Sequence, residues 1–312
     1  MFRFILPLFS EKHLKISPRL LLGLGLVLGL SACETTVEMD VPAHTPKLAV
    51  QYNLNTDAPN QSLIVGRSQP VLASDDLWRD GLVNNAIVTI KDQNGVLRQG
   101  FVFKPFEVGI TQGSYKPTNG FSPVPGQQYV LSISAPGFEP IEGRLTQPTE
   151  VPVVSAAFEP VRQTNHSELR GLLKLQFNDP PAGRNYYRFF LKLYDAQGKL
   201  IGSLYSDREN EGILDEEVEQ ISVGKVFDDG WAKAGVISFS DLVTTYPGNN
   251  QTAKYLEVTL QHLTPDLYLY ERSRENYTED NPFAEPLNLH SNIRNGYGSF
   301  GGITTTKYRI NL

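Results

Sequence analysis

The chain has 312 residues, one cysteine, 40% hydrophobic and 20% charged residues, and 28 basic against 34 acidic side chains, a net charge of −6. That balance excludes an electrostatic nucleic-acid binder, which needs clustered Lys and Arg to neutralise phosphates. A single cysteine excludes a disulfide framework within the chain, so stability must come from packing, and the length suffices for one large domain or two ordinary ones.

At the amino end, basic residues (Arg3, Lys12, Lys15, Arg19) precede an apolar run of 11 residues, Leu20–Leu30. The run is too short to span a bilayer, which takes about 20 residues. It leads into Ser31-Ala32-Cys33. Together these features form the pattern of a bacterial lipoprotein signal peptide over 1–32, ending in a lipobox, and they predict acylation of Cys33. Two or three acyl chains, at roughly 0.8 kcal/mol per buried methylene, hold a protein durably on a membrane. Removal of 1–32 leaves 280 residues with 24 basic and 33 acidic side chains, a net charge of −9. A chain this acidic does not adhere to anionic lipid by charge, so the anchor must hold it. Residues 33–46 are polar with two prolines and read as a lipidated tether. Its acids Glu34, Glu38 and Asp40 loosely resemble a surface-export signal of Bacteroidota lipoproteins, and a plain solvated linker fits equally well.

The rest reads as β almost throughout. A first domain is expected over 47–150. Leu48, Val50, Tyr52 and Leu54 alternate with polar positions, as a half-buried strand does. Ala86, Val88 and Ile90 follow, leading to Asn94-Gly95, a pair that favours the positive φ of a tight hairpin. Phe101 and Phe103 lie on the returning strand, and Tyr129, Leu131 and Ile133 continue the set. The order Val83–Gly95, Gly113-Ser-Tyr-Lys-Pro117 and Val124–Phe138 resembles the prealbumin or carboxypeptidase-regulatory β-sandwich. That fold is a scaffold and carries no chemistry by itself. Gln147–Val154 reads as a connection between domains or a crossing strand.

A second β-rich domain is expected over 151–312. Leu169, Gly171, Leu173, Leu175 and Phe177 share one strand face. Tyr187, Phe189, Leu191 and Leu193 share another, ahead of a turn at Asp195–Gly198, and Leu256, Val258 and Leu260 share a third. The acidic run Asp207–Glu219 hints at a calcium loop. Its twelfth position is Val218, where a bidentate carboxylate is needed, so a solvated loop is the preferred reading. A helix is expected over 265–277: Thr264 suits the cap, Pro265 the first position, and Asp266 the positive end of the dipole. Leu267, Tyr270, Arg274 and Tyr277 would line one side.

The sequence holds no nucleophile elbow, zinc-binding helix motif or Walker loop. Gly296-Tyr-Gly-Ser-Phe-Gly301 satisfies the dinucleotide-binding glycine spacing, but a strand-like segment follows where a helix is required, so the signal is rejected. His44, His166, His262 and His290 lack metal-ligand spacing. His262 reads as a satisfied strand-end histidine. No catalytic residue, metal or cofactor is expected.

The segment from Asn281 to Gly302, with Asn281-Pro-Phe283, Glu285-Pro286, Ser291-Asn292 and the Gly296–Gly302 glycines, resembles Bacteroidota lipoproteins of the domain-of-unknown-function family 4249. Asp179–Arg188 and Leu267–Glu271 extend the resemblance over most of the mature chain. It implies a non-enzymatic lipoprotein of the outer membrane, anchored on its periplasmic or cell-surface side. It also implies an accessory role to a TonB-dependent receptor. Surface binding of a glycan or peptide is the alternative, and a hydrolase with a dispersed site a minor one. Within the motif, Asn281, Phe283, Glu285, His290, Asn292, Tyr297 and Phe300 are the candidate contacts for a partner or ligand. An irregular crossover closing the second domain, with Phe283 and Phe300 packed beneath it, is the structural alternative.

Overall fold

The computed structural model describes residues 44–70, 81–105, 113–161, 169–181, 183–207, 221–245, 252–275 and 289–312. Cys33, the acidic run beyond Asp207, Tyr277, and the motif residues Asn281, Phe283 and Glu285 lie outside them. Among these residues the fold is mainly β, with two sheets, one short α-helix and no closed barrel, and the alternating patterns imply that β class.

In the first half the strands are β1 (Leu48–Asn55), β2 (Ile64–Arg67), β3 (Ile87–Asp92), β4 (Leu97–Lys104), β5 (Ser114–Pro117), β6 (Gln128–Ser134) and β7 (Ile141–Thr146). The second half holds β8 (Val153–Pro160), β9 (Leu169–Asn178), β10 (Tyr186–Tyr194), β11 (Leu200–Ser206), β12 (Phe227–Asp228), β13 (Val236–Thr245), β14 (Tyr255–Leu263), helix α1 (Pro265–Glu275), β15 (Ile293–Arg294) and β16 (Tyr297–Asn311). A six-stranded sheet runs β15-β7-β6-β3-β4-β5. A ten-stranded sheet runs β2-β1-β16-β14-β10-β11-β13-β9-β8, with β12 attached to β10. Strands from both sides of residue 150 therefore share each sheet. Most of this crossing belongs to β16, which pairs parallel with β1 through Tyr297–Ile303 and antiparallel with β14 through Ile303–Asn311.

Period-two alternation places the cores. Leu48, Val50, Tyr52 and Leu54 turn inward to meet Val88, Ile90, Leu131 and Ile133, and Ile293 and Phe300 complete this first core. The second core is packed by Leu173, Leu175, Phe177, Tyr187, Phe189, Leu191, Val258 and their neighbours.

Two hairpins use one device. Asp92 accepts the N–H groups of Asn94 (2.9 Å) and Val96 (3.0 Å), and Asp195 accepts those of Gln197 (2.9 Å) and Lys199 (2.8 Å). Each turn ends on a glycine at positive φ, Gly95 or Gly198, beside a register shift. At Asn94-Gly95 only the glycine is left-handed, so the turn is a bulged one rather than the two-residue type in which both positions have positive φ. Burial of Asp92 acts to raise its pKa, but the Arg98 guanidinium and these backbone donors outweigh it and hold the carboxyl below its usual range.

Candidate functional site

The motif segments meet on α1. Pro265 opens the helix and Thr264 O accepts the first helical bond, from Tyr268 N–H (3.1 Å). The Thr264 hydroxyl does not cap. It accepts the Gly302 N–H of β16 instead, at 3.1 Å. Leu267 and Tyr270 are buried as the spacing predicts, and Glu271 joins them where the apolar stripe does not call for it. Glu271 is held by Arg274 (2.7 Å) and lies 3.9 Å from Arg188 of β10. Burial pushes the Arg188 guanidinium down, against the opposing pull of Glu271. Tyr268 stacks on Tyr186 at 4.4 Å. The helix reaches β16 through glycine: a Cβ on Gly301 would come within 2.9 Å of Leu267.

The Asp179–Arg188 segment forms a polar clamp. Asp179 accepts the Tyr187 hydroxyl (2.5 Å) and the Asn185 amide (3.2 Å), while Asn185 N–H donates to Asp229 (2.9 Å). Burial, and then Asp179, push the Tyr187 phenol up. His262 stacks on Tyr187 at 5.2 Å, and its Nδ1 lies 2.8 Å from Thr149 O. Burial pushes this histidine down, the arrangement of a neutral imidazole satisfied at a strand end. Among the described residues no group of three or more His, Cys, Asp or Glu side chains is placed to hold a metal.

The carboxy-terminal motif divides into builders and liners. Asn292 is a builder: its Nδ2 donates to Phe300 O (2.9 Å), its Oδ1 accepts Phe300 N–H (2.8 Å), and Nδ2 also reaches Asp266 (3.3 Å). One side chain thus imitates a strand partner. Phe300 is 0% exposed and stacks on Tyr52 at 6.4 Å. Ser291 Oγ accepts the N–H groups of Ile293 (3.3 Å) and Gly298 (3.1 Å) and closes the β15–β16 turn. Gly298, at φ +113°, lets β16 approach β1 so closely that a Cβ would lie 1.8 Å from Val50 O.

His290 and Tyr297 are liners. His290 N–H donates to Ser273 Oγ (3.0 Å), and its Nε2 lies 2.8 Å from Asp266 Oδ1 at the start of α1. Tyr297 is 49% exposed, with the Lys47 ammonium 5.8 Å above its ring. Both border an open groove of about 750 Å³ on the outer face of β2, β1 and β16, together with Gln51, Ile64, Tyr270 and Leu289. Among the described residues its lining contains no Asp or Glu. The Tyr270 hydroxyl donates to Gln51 Oε1 (3.3 Å) across the floor. Gln51, Ser62 and Ile64 have no motif to announce them. Their one signal is that the outward face of β1, Ala49 and Gln51, carries no charge.

A family model described as Domain of unknown function (DUF4249) matches residues 34–309, nearly the whole chain. No curated protein matches this sequence.

Proposed function

The chain belongs to the DUF4249 family, and on that premise we propose that it is a non-enzymatic lipoprotein of the cell envelope. It is anchored through Cys33 in the outer membrane and is accessory to a TonB-dependent transporter. One observation supports this reading above the rest: the family motif spends its buried residues on building a groove and presents His290 and Tyr297 at its open, apolar surface. Loops fixed on a rigid sheet in this way commonly carry recognition. The groove receives the transporter or its cargo. Cross-linking in the native envelope, followed by purification through a carboxy-terminal tag, is expected to recover an outer-membrane receptor in stoichiometric amount. A partner-free lipoprotein would overturn the accessory role.

A second reading has its own support. An exposed tyrosine in an open groove beside Gln51, Ser62 and Ser291 offers a stacking face with polar rims, which suits a surface glycan or peptide. A glycan and peptide array probed with the native chain and with Tyr297→Ala separates the two. Signal that is lost in the variant favours direct ligand binding.

A further inference from the structure

We propose that the end of the molecule where the tether joins rests on the lipid surface, an inference that depends on the lipid-anchor reading above. His44 belongs to the folded body: its Nε2 lies 3.1 Å from Ser68 O and 3.0 Å from Ser68 Oγ, and Lys47 N–H donates to that same hydroxyl at 2.9 Å. Ten residues lie between Cys33 and His44, a reach of at most about 40 Å over the eleven Cα steps.

The β15–β16 turn and the starts of β1, β3 and β7 gather at this end. A Cβ on Gly296 would meet Leu48 O at 2.5 Å and Ile141 at 2.7 Å, and Asn295 Nδ2 donates to Pro140 O at 3.3 Å. Ile87, Pro140, Glu142, Arg294 and Asn295 border one shallow depression there, with the Glu142 carboxylate held by Arg144 at 2.7 Å. Ile87 is 70% exposed, more than any other large hydrophobic side chain among the described residues. Tyr297, with Lys47 above its ring, lies on the other side of the same turn. An isoleucine facing outward, an amphipathic aromatic ring and the long basic side chains of Lys47 and Arg294 form the chemistry of a bilayer interface. The apolar groups pass the headgroups, the ring sits among them, and the cations reach the phosphates.

The opposite end of the sheet also exposes Val96 and Leu97, and the point where the tether joins the body favours the near end. To set that end on the membrane, the tether must first run the length of β1, whose eight residues span about 27 Å. The near end needs no such detour. With that end down, the groove opens sideways at membrane level, where a transmembrane partner stands.

The test uses the full lipidated protein in vesicles of three parts phosphatidylethanolamine to one part phosphatidylglycerol, doped with a lipid spin-labelled at its headgroup. Acylation consumes the Cys33 thiol, so a fluorophore reports only an introduced cysteine, Glu139→Cys at the near end or Asn94→Cys at the far end. We expect the label at 139 to be quenched several-fold more strongly than that at 94, and Ile87→Ser to reduce the difference with the melting temperature retained. Floating vesicles with equal quenching at both positions, or stronger quenching at 94, overturn this inference and leave the anchor standing. An unchanged difference in Ile87→Ser overturns the assigned contact face. A lipidated chain that does not float with the vesicles overturns the anchor reading and this inference with it.

Discussion

The two main cores among the described residues are closed in different ways. The second takes all its buried members from the stretch between Val151 and Leu260, and its strands follow the simple rule that every second side chain turns inward. The first takes its strands from the first half but is completed by Ile293 and Phe300 near the carboxy terminus. Alternation suffices to close the second core. The first needs special backbone, because a strand must arrive from far along the chain and lie flat against β1. Gly298 and Asn292 meet that need, and the groove lies over the same junction. The candidate site thus sits on the seam that is harder to specify.

The largest effect is expected at Phe300. Truncation of a fully buried phenylalanine costs about 3–5 kcal/mol, so Phe300→Ala should lower the denaturation midpoint as much as Phe189→Ala in the second core. If the two cores unfold as one cooperative body, both variants show a single transition seen alike by fluorescence and circular dichroism. A split transition in Phe300→Ala alone would make the first core a separate unit.

Gly298→Ala comes next. At φ +113° and 1.8 Å from Val50 O the methyl group forces β16 away from β1, and we expect a loss of about 3 kcal/mol. Hydrogen exchange should report it as faster exchange in β1 with β9 and β13 unchanged. Asn292→Ala removes both bonds to Phe300 at a cost of about 1–2 kcal/mol. It should weaken partner binding by more than that stability loss explains, because the groove wall moves with it.

His262, stacked on Tyr187, tests the second core by pH. Burial holds its folded-state pKa below the free value of 6.5, so the unfolded chain takes the proton more readily. Its contribution to stability is complete above about pH 6.5 and falls as the pH drops through the folded value. The melting temperature should fall below that pH, and less steeply in His262→Gln. The smallest effect on stability is expected from Tyr297→Ser, within about 0.5 kcal/mol. The same change should abolish whatever binding the groove performs, and a variant that binds normally would remove Tyr297 from the site.

Much of the fold is legible in the strands themselves. Leu48, Val50, Tyr52 and Leu54 declare their inward face, as do Tyr187, Phe189, Leu191 and Leu193, because side-chain period and burial are one constraint in a half-buried strand. Pro265 and Asp266 mark the helix start correctly. Thr264 was legible only in part: its backbone begins the helix, while its hydroxyl goes to Gly302, a partner 38 residues away. Glu271 reads as surface and is buried, because Arg188 and Arg274 come to it from two elements. Of the candidate contacts, His290 and Tyr297 line the groove, whereas Asn292 and Phe300 build it.

By itself, then, the sequence determined the β class, the strand faces, the helix start and the family, since each is written in residues close together along the chain. Only the tertiary structure decided that β16 lies parallel to β1, that Ile293 and Phe300 complete the first core, and that Gln51 and Ile64 join His290 and Tyr297 around one groove. These depend on pairing across 150 to 248 residues. Local pattern carries no record of which distant strand a given edge will meet, and the meeting is selected by the fit of a whole core.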